Sequence, residues 1–256
     1  MEDSASLIGF YERAYSLRGP EADKYARWRS LSALGKADHV IELSRRAGLA
    51  PGSTLDVGCG DGSLLAELGG RGFGGRLAGM EISEPAVAIA RDRVAEAQIS
   101  LFDGERLPLE DRSHELGILS HVLEHVPAPA ALLAEVARVC RTVVFEVPLE
   151  ANWSARRPAK RHHAEEIGHL QRLGRREARQ IAADAGLDLV AELQDPLPLS
   201  VHRFFAGDRR ARVTATAKWG VRAGADRLAP PLARRLFTVH YACLLVPRGV
   251  YRPPGV

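Results

Sequence analysis

The stretch TLDVGCGDGSLLAEL, residues 54–68, constrains the fold more than any other part of the chain. A short apolar run with Asp56 inside it meets three glycines, Gly58, Gly60 and Gly62, with Asp61 in the turn. A helical pattern of leucines follows at 64, 65 and 68. Glycines at such a turn let a ligand approach the main chain with no Cβ in the way. The helix that follows turns its unpaired N–H groups and positive dipole end toward the same place. In open parallel sheets, ligands bind at the carboxyl ends of strands. The spacing G-x-G-x-G is neither the G-x-G-x-x-G of dinucleotide sites nor a phosphate loop, because no Gly-Lys-Ser/Thr follows.

The pattern downstream alternates between strand and helix. Strands are expected at 53–58, 76–82, 99–103, 114–120 and 142–148, with helices at 62–69, 84–97 and 128–139 between them. A helix at 175–185 and strands near 188–194 and 241–247 complete the series. This alternation predicts an α/β fold: a Rossmann-like, seven-stranded, mostly parallel sheet with helices on both faces. Two helices, 4–17 and 21–47, precede it and read as an N-terminal helical lid over residues 1–48. The main domain then spans 49–256. Two pieces fit no regular alternation and are expected as cap or insertion elements: 149–173, and the helical segment 196–240 between the last two strands.

Polar groups recur at successive strand ends. Glu81 closes the second strand, where an acid can accept hydrogen bonds from both hydroxyls of a ribose. Asp103 closes the third, in FDGERLPL, and SHVLEHV follows the fourth. Together, LDVGCGDGSLLAEL, Glu81, FDGERLPLED and LGILSHVLEHVPAPAALLAEVARVC resemble the class I S-adenosylmethionine-dependent methyltransferases, specifically the small-molecule enzymes of methyltransferase type 11/12. The resemblance covers about residues 50–195.

It implies S-adenosyl-L-methionine as cofactor, S-adenosyl-L-homocysteine as product, and a set of roles. Gly58, Cys59 and Gly60 would lie along the methionine part, and Asp56 would hold its amino group. Glu81 would take the ribose hydroxyls and Ile82 one face of the adenine. Asp103 and Gly104 would sit at the adenine edge, and Ser120 and His121 near the reactive methyl. Tyr11, Tyr15 and Trp28 are candidates for the lid over the cofactor.

Methyl transfer to a hydroxyl needs a base, and transfer to an amine needs mainly positioning. His169, just before the helix after strand five, and His121 are the candidate catalytic residues. On a helix, His121 and His125 would share a face, but the H-E-x-x-H spacing is absent and no metal is expected. The cluster His162, His163, Glu165, Glu166 and His169 reads as a polar loop, too rich in histidine for magnesium.

The expected reaction is methyl transfer to a hydroxyl or amine of a small molecule, with an anionic specialised metabolite as one form of acceptor. The basic elements 156–161 and 203–212 would meet such an anion. An RNA or protein methyltransferase, and a cofactor-binding member of the fold without methyl transfer, are the alternatives. A net charge of +3 and no recognisable RNA-binding module argue against nucleic acid. Three cysteines without a C-x-x-C pair argue against a disulfide framework. No apolar run reaches the ~18 residues of a membrane span, and residues 1–15 lack a signal-peptide pattern. The expectation is therefore a cytoplasmic monomer or homodimer that does not engage a membrane.

Overall fold

The computed structural model describes residues 2–249, with side chains from residue 7 onward. Met1 and residues 250–256, which fall within the expected domain ranges, lie outside the described residues. The helices are α1 (Glu2–Tyr15), α2 (Pro20–Arg46), α3 (Ser63–Gly70), α4 (Glu84–Arg93), α5 (Pro129–Val139), α6 (Pro158–Glu166), α7 (Arg175–Asp184), α8 (Leu199–Arg203), α9 (Arg209–Leu228) and α10 (Pro230–Leu236). The strands are β1 (Ser53–Val57), β2 (Arg76–Glu81), β3 (Gln98–Leu101), β4 (His114–Ser120), β5 (Cys140–Pro148), β6 (Leu187–Asp195) and β7 (His240–Pro247).

The seven strands form one sheet in the order β3-β2-β1-β4-β5-β7-β6. The first five are parallel, and β7 runs antiparallel to both β5 and β6. The expected α/β sheet is present with all its strands. Every residue of β1 is buried, as a central strand covered on both faces requires.

Alternation along the strands sends side chains to two apolar layers. Leu116, Ile118, Val144 and Leu244 meet Ala37, Val40 and Leu43 of α2 and Leu64 and Leu68 of α3. On the other face, Val57, Val143, Phe145 and Leu245 meet Leu132, Leu133 and Val136 of α5 and Ala178 and Ile181 of α7. The second half of α2 is thus a structural layer of the sheet rather than part of a separate lid.

Local chemistry sets the helix ends. Pro20 begins α2 with Glu21 and Asp23 in its first turn, and Gly48 leaves it at φ 67°. Ser83 caps α4 by accepting the Ala86 N–H, and Asp208 caps α9 by accepting the Ala211 N–H. The Ala229-Pro230-Pro231 break separates α9 from α10.

The insertion between β6 and β7 is helical, as expected. Its long helix α9 contains no buried residue, and Val213 and Val221 are 63% and 62% exposed. The insertion is held by Trp219 Nε1 donating to the Leu197 carbonyl at 2.9 Å and by Trp28 of α2 packed on Phe204 and Phe205. The other irregular piece, 149–173, contains α6, a helix that the sequence pattern does not predict. Among the described residues no helix is long and apolar enough to cross a membrane.

Candidate active site

The glycine turn is fastened to β2. The N–H groups of Gly58 and Cys59 both donate to the Met80 carbonyl, at 2.7 and 3.1 Å. Gly58 and Gly60 have φ of 76° and 55°, in the left-handed region that disfavours other residues. A Cβ on Gly60 would stand 2.4 Å from Tyr15 Oη, and one on Gly58 would stand 2.6 Å from a Val122 methyl. Side chains of α1 and of the β4–α5 turn therefore lie directly on the main chain of the turn.

Glu81 is the centre of this edge. Its Oε2 accepts the Gly60 N–H at 2.8 Å, and its Oε1 accepts the N–H groups of Ile82 and Ser83 at 2.8 and 3.1 Å. Burial pushes this carboxyl up, and the three amides act against that. A carboxylate has about four acceptor positions, so capacity remains for one further donor. Ile82 and Gly104 are neighbours, with an Ile82 methyl 3.4 Å from the place of a Gly104 Cβ. Asp103 is exposed, and its Oδ1 accepts the Glu105 and Arg106 N–H groups, both at 2.8 Å, so it shapes its own turn. The Cys59 side chain points into the core against Leu65, Val87 and Ile99, leaving only its main chain toward the edge. Asp56 is 2% exposed. Burial pushes its carboxyl up to about 7, with Lys36 acting against this and Glu81 adding to it.

The N-terminal helices are tied to the turn. Asp61 Oδ2 accepts Arg29 Nε of α2 at 2.7 Å and Arg93 Nη2 of α4 at 3.0 Å, while its Oδ1 accepts the Ser63 hydroxyl at 2.6 Å. The Arg29 guanidinium also stacks over the Tyr15 ring, 4.8 Å from its centroid. Burial, with Glu81 and Asp61 nearby, raises the Tyr15 hydroxyl well above its ordinary value. Tyr11 packs edge-on to His125. Trp28, grouped with Tyr11 and Tyr15 from sequence, faces the insertion instead, because α2 carries it to Phe204 and Phe205.

SHVLEHV is not helical, so the expectation that His121 and His125 share a helix face is corrected. Residues 121–127 form an irregular turn in which His121 has φ 60°. Pro127 and Pro129 disfavour helical backbone at the residues before them.

The turn sends the two histidines to different groups. His121 Nδ1 lies 3.0 Å from Glu124 Oε1, and its Nε2 lies 3.3 Å from Glu146 Oε1 and 3.0 Å from His240 Nδ1. Burial and Lys36 act to lower His121, but Glu124 and Glu146 raise it overall. His125 Nδ1 pairs with the Gly168 carbonyl at 3.0 Å, and its ring meets His169 edge-on. His169 Nδ1 lies 2.8 Å from Glu150 Oε2. The exposed His162 pairs with Glu166, one turn along α6.

Sequence reasoning missed His39, Glu146, His240 and Asp195. His39, on the buried face of α2, lies 3.0 Å from Glu146 Oε2 and 2.7 Å from Asp195 Oδ2. Burial alone would lower His39, but the two carboxylates push it up to about 10. A histidine on the sheet-facing side of a helix was the one signal to follow, since such a ring must find partners when buried.

Two side-chain atoms at this edge, Ser120 Oγ and Glu124 Oε2, are buried without a hydrogen-bond partner among the described residues. Buried polar atoms are normally paired, so the edge suits a polar ligand. The strand order, with the antiparallel β7 between β5 and β6, is that of the class I Rossmann-like methyltransferase fold.

Comparisons agree with that class. Residues 55–143 match the family model described as a methyltransferase domain. Residues 55–143 therefore carry a methyltransferase domain. It is 37% identical over 151 residues to a ubiquinone biosynthesis O-methyltransferase of Thiobacillus denitrificans, covering 54% of this chain and 59% of that protein. It is 36% identical over 148 residues to an uncharacterized 37.1 kDa protein in transposon Tn4556 of Streptomyces fradiae, covering 52% and 43%. The chain spans about half the length of the curated relatives it matches.

Among solved structures, a SAM-dependent methyltransferase from Thermotoga maritima matches with TM-score 0.61 at 16% identity, covering 94% of this chain and 99% of that one. The [4+2]-cyclase SpnF matches with TM-score 0.57 at 18% identity, covering 84% and 81%. At these identities the structures speak for the fold.

Proposed function

We propose that the protein transfers a methyl group from S-adenosyl-L-methionine to a hydroxyl or amine of a small molecule. The observation that carries this reading is the joint between Glu81 and Gly60, roofed by Tyr15 and bordered by the unpartnered Ser120 Oγ. The main chain of Gly58, Cys59 and Gly60 would hold the methionine part, and Asp56 its ammonium group. Glu81 would take the ribose hydroxyls, one at its remaining acceptor position and the other by sharing an oxygen with an amide, with Ile82, Asp103 and Gly104 around the adenine. Residues 1–48 include the lid, of which α1 supplies Tyr11 and Tyr15. When bound, the sulfonium supplies an already activated methyl group, so the protein's task is alignment and proton removal.

His169 suits the role of base better than His121. A carboxylate accepts only, so Glu150 holds His169 in the tautomer with Nδ1–H and leaves Nε2 as the acceptor. Both ring nitrogens of His121 are engaged, by Glu124 on one side and Glu146 and His240 on the other. His121 is then a positioning residue at the methyl-transfer edge. The groove of about 540 Å³ on the insertion, lined by Arg210, Lys218 and Arg222 together with Asp208 and Phe205, would be the place for an anionic acceptor.

The testing experiment is calorimetric titration with S-adenosylmethionine and S-adenosylhomocysteine, followed by assay of S-adenosylhomocysteine formation with panels of hydroxylated and amine acceptors. Micromolar binding and acceptor-dependent turnover support the reading, and absence of binding by folded, ligand-free protein refutes it. A second reading, cofactor binding without methyl transfer, is favoured by one observation: SpnF, a protein of similar fold, is a [4+2]-cyclase by name. Binding without any S-adenosylhomocysteine formation would select it.

A further inference from the structure

The buried Glu146, near the end of β5, stands at the centre of a cluster of half-buried and buried histidines drawn from separate parts of the chain. His240 Nδ1 lies 2.9 Å from Glu146 Oε1, His121 Nε2 lies 3.3 Å from the same oxygen, and the two ring nitrogens are 3.0 Å apart. Three potential ligand atoms therefore make a closed triangle. Tetrahedral zinc holds nitrogen and oxygen ligands at about 2.0–2.1 Å, which places the ligand atoms about 3.3 Å from one another. The triangle has nearly the size of one face of that tetrahedron.

With His121 and His240 neutral, the hydrogens available do not serve every contact of the triangle. His121 Nδ1 faces the Glu124 carboxylate at 3.0 Å and must donate there. A neutral His121 then presents an acceptor lone pair at Nε2, facing both Glu146 Oε1 and His240 Nδ1. His240 Nδ1–H supplies one hydrogen to two acceptors, and the remaining lone pairs face each other. A positive centre resolves the conflict, either an extra proton on His121 or a metal ion.

The surroundings resemble those of built metal sites, in which the far side of each ligand is held by a second polar group. Glu124 holds His121 from behind. His39 holds Glu146 Oε2 at 3.0 Å and is itself held by Asp195 Oδ2 at 2.7 Å. Glu146 has 2% of its side chain exposed, whereas His121 and His240 keep 21% and 14%, so the cluster opens on the histidine side. Two imidazoles and one carboxylate suit zinc or cobalt, while magnesium and calcium take oxygen ligands.

We propose that His121, Glu146 and His240 bind one divalent transition cation of the zinc type, with the fourth position left to an outside ligand. The test reads the metal alone and is independent of methyl transfer. The full chain is stripped with a chelator and titrated with Zn²⁺ against a competing fluorescent chelator, and with Co²⁺ followed by visible absorption. The expected result is one ion per chain and the intense bands of tetrahedral cobalt. His240→Ala and Glu146→Gln should each weaken binding by about 100-fold or more, and Glu124→Gln, which acts only through His121, by roughly 10–100-fold. His163→Ala, exposed on α6, should bind like the unaltered protein. Circular dichroism checks that each variant folds, and Glu124→Gln keeps the test decisive if the others do not. No ion held at micromolar zinc, an octahedral cobalt spectrum, or equal affinity in every folded variant would overturn the proposal.

Discussion

Glu81 Oε2 accepts the Gly60 amide at 2.8 Å, joining the end of β2 to the glycine turn that follows β1. One carboxylate thereby sets the distance between the two segments proposed to hold opposite ends of the cofactor. Glu81→Ala leaves three amides without their acceptor and removes the ribose anchor. Charge-assisted hydrogen bonds contribute about 1.5–3 kcal/mol each. The expected outcome is a loss of at least about 100-fold in S-adenosylhomocysteine affinity by calorimetry. Glu81→Gln, which keeps the shape, should lose less.

Gly60 lies under the Tyr15 hydroxyl. Gly60→Ala puts a methyl 2.4 Å from Tyr15 Oη and forces alanine to φ 55°. The backbone part alone costs about 1–2 kcal/mol, and each kcal/mol is worth roughly 2–4 °C in a chain of this size. The melting temperature should therefore fall. Adding Tyr15→Phe removes the clashing oxygen, so the double variant should melt above the sum of the single effects, and a strictly additive result would place Tyr15 elsewhere.

The Asp56 carboxyl is pushed up to about 7 by burial. Its folded value lies above the unfolded one of about 3.9, so the folded state holds the proton more tightly. Stability from this group is present at low pH and is lost as pH rises from about 4 through 7. Asp56→Asn should remove that slope, read from urea unfolding at pH 5 and pH 8. Cofactor affinity should move oppositely in the unaltered protein, rising as pH passes 7 and the carboxylate forms to meet an ammonium group. In Asp56→Asn it should be weak and flat.

Asp61 is 2% exposed and binds Arg29, Arg93 and Ser63 together. The arginine side chains are 26% exposed, which screens the pairing. Asp61→Ala should cost about 2 kcal/mol, below the 3–5 kcal/mol of a fully buried pair. It should also loosen α1 and α2 from the turn, seen as faster limited proteolysis before residue 48 while the sheet stays protected.

Local signals made much of this legible. Residues 54–68 announce a strand, a glycine turn and a helix, because each of those states leaves its mark within a few residues. The positions of Glu81 and Ser120 followed from counting strand ends. SHVLEHV misled because its spacing is helical while the chain there turns, with His121 at φ 60° and with Pro127 and Pro129 disfavouring helix at the residues before them. The Glu146 cluster left no such mark: His39 and Glu146 stand 107 residues apart, and His121 and His240 stand 119 apart. Only the sheet order places them side by side. Trp28 meets a neighbour other than the expected one for a similar reason, since the direction of α2 decides whether it reaches the cofactor edge or the insertion.

The reversal of β7 has a consequence for how such a chain can diversify. Because β7 runs antiparallel to β6, Asp195 and His240 are cross-strand partners, and the whole insertion leaves and re-enters the sheet at one doorway. Its long helix α9 adds nothing to the buried core. A lineage can therefore exchange this segment as a cassette, longer or shorter, and present a new surface to new molecules while the registers of all seven strands stay as they are.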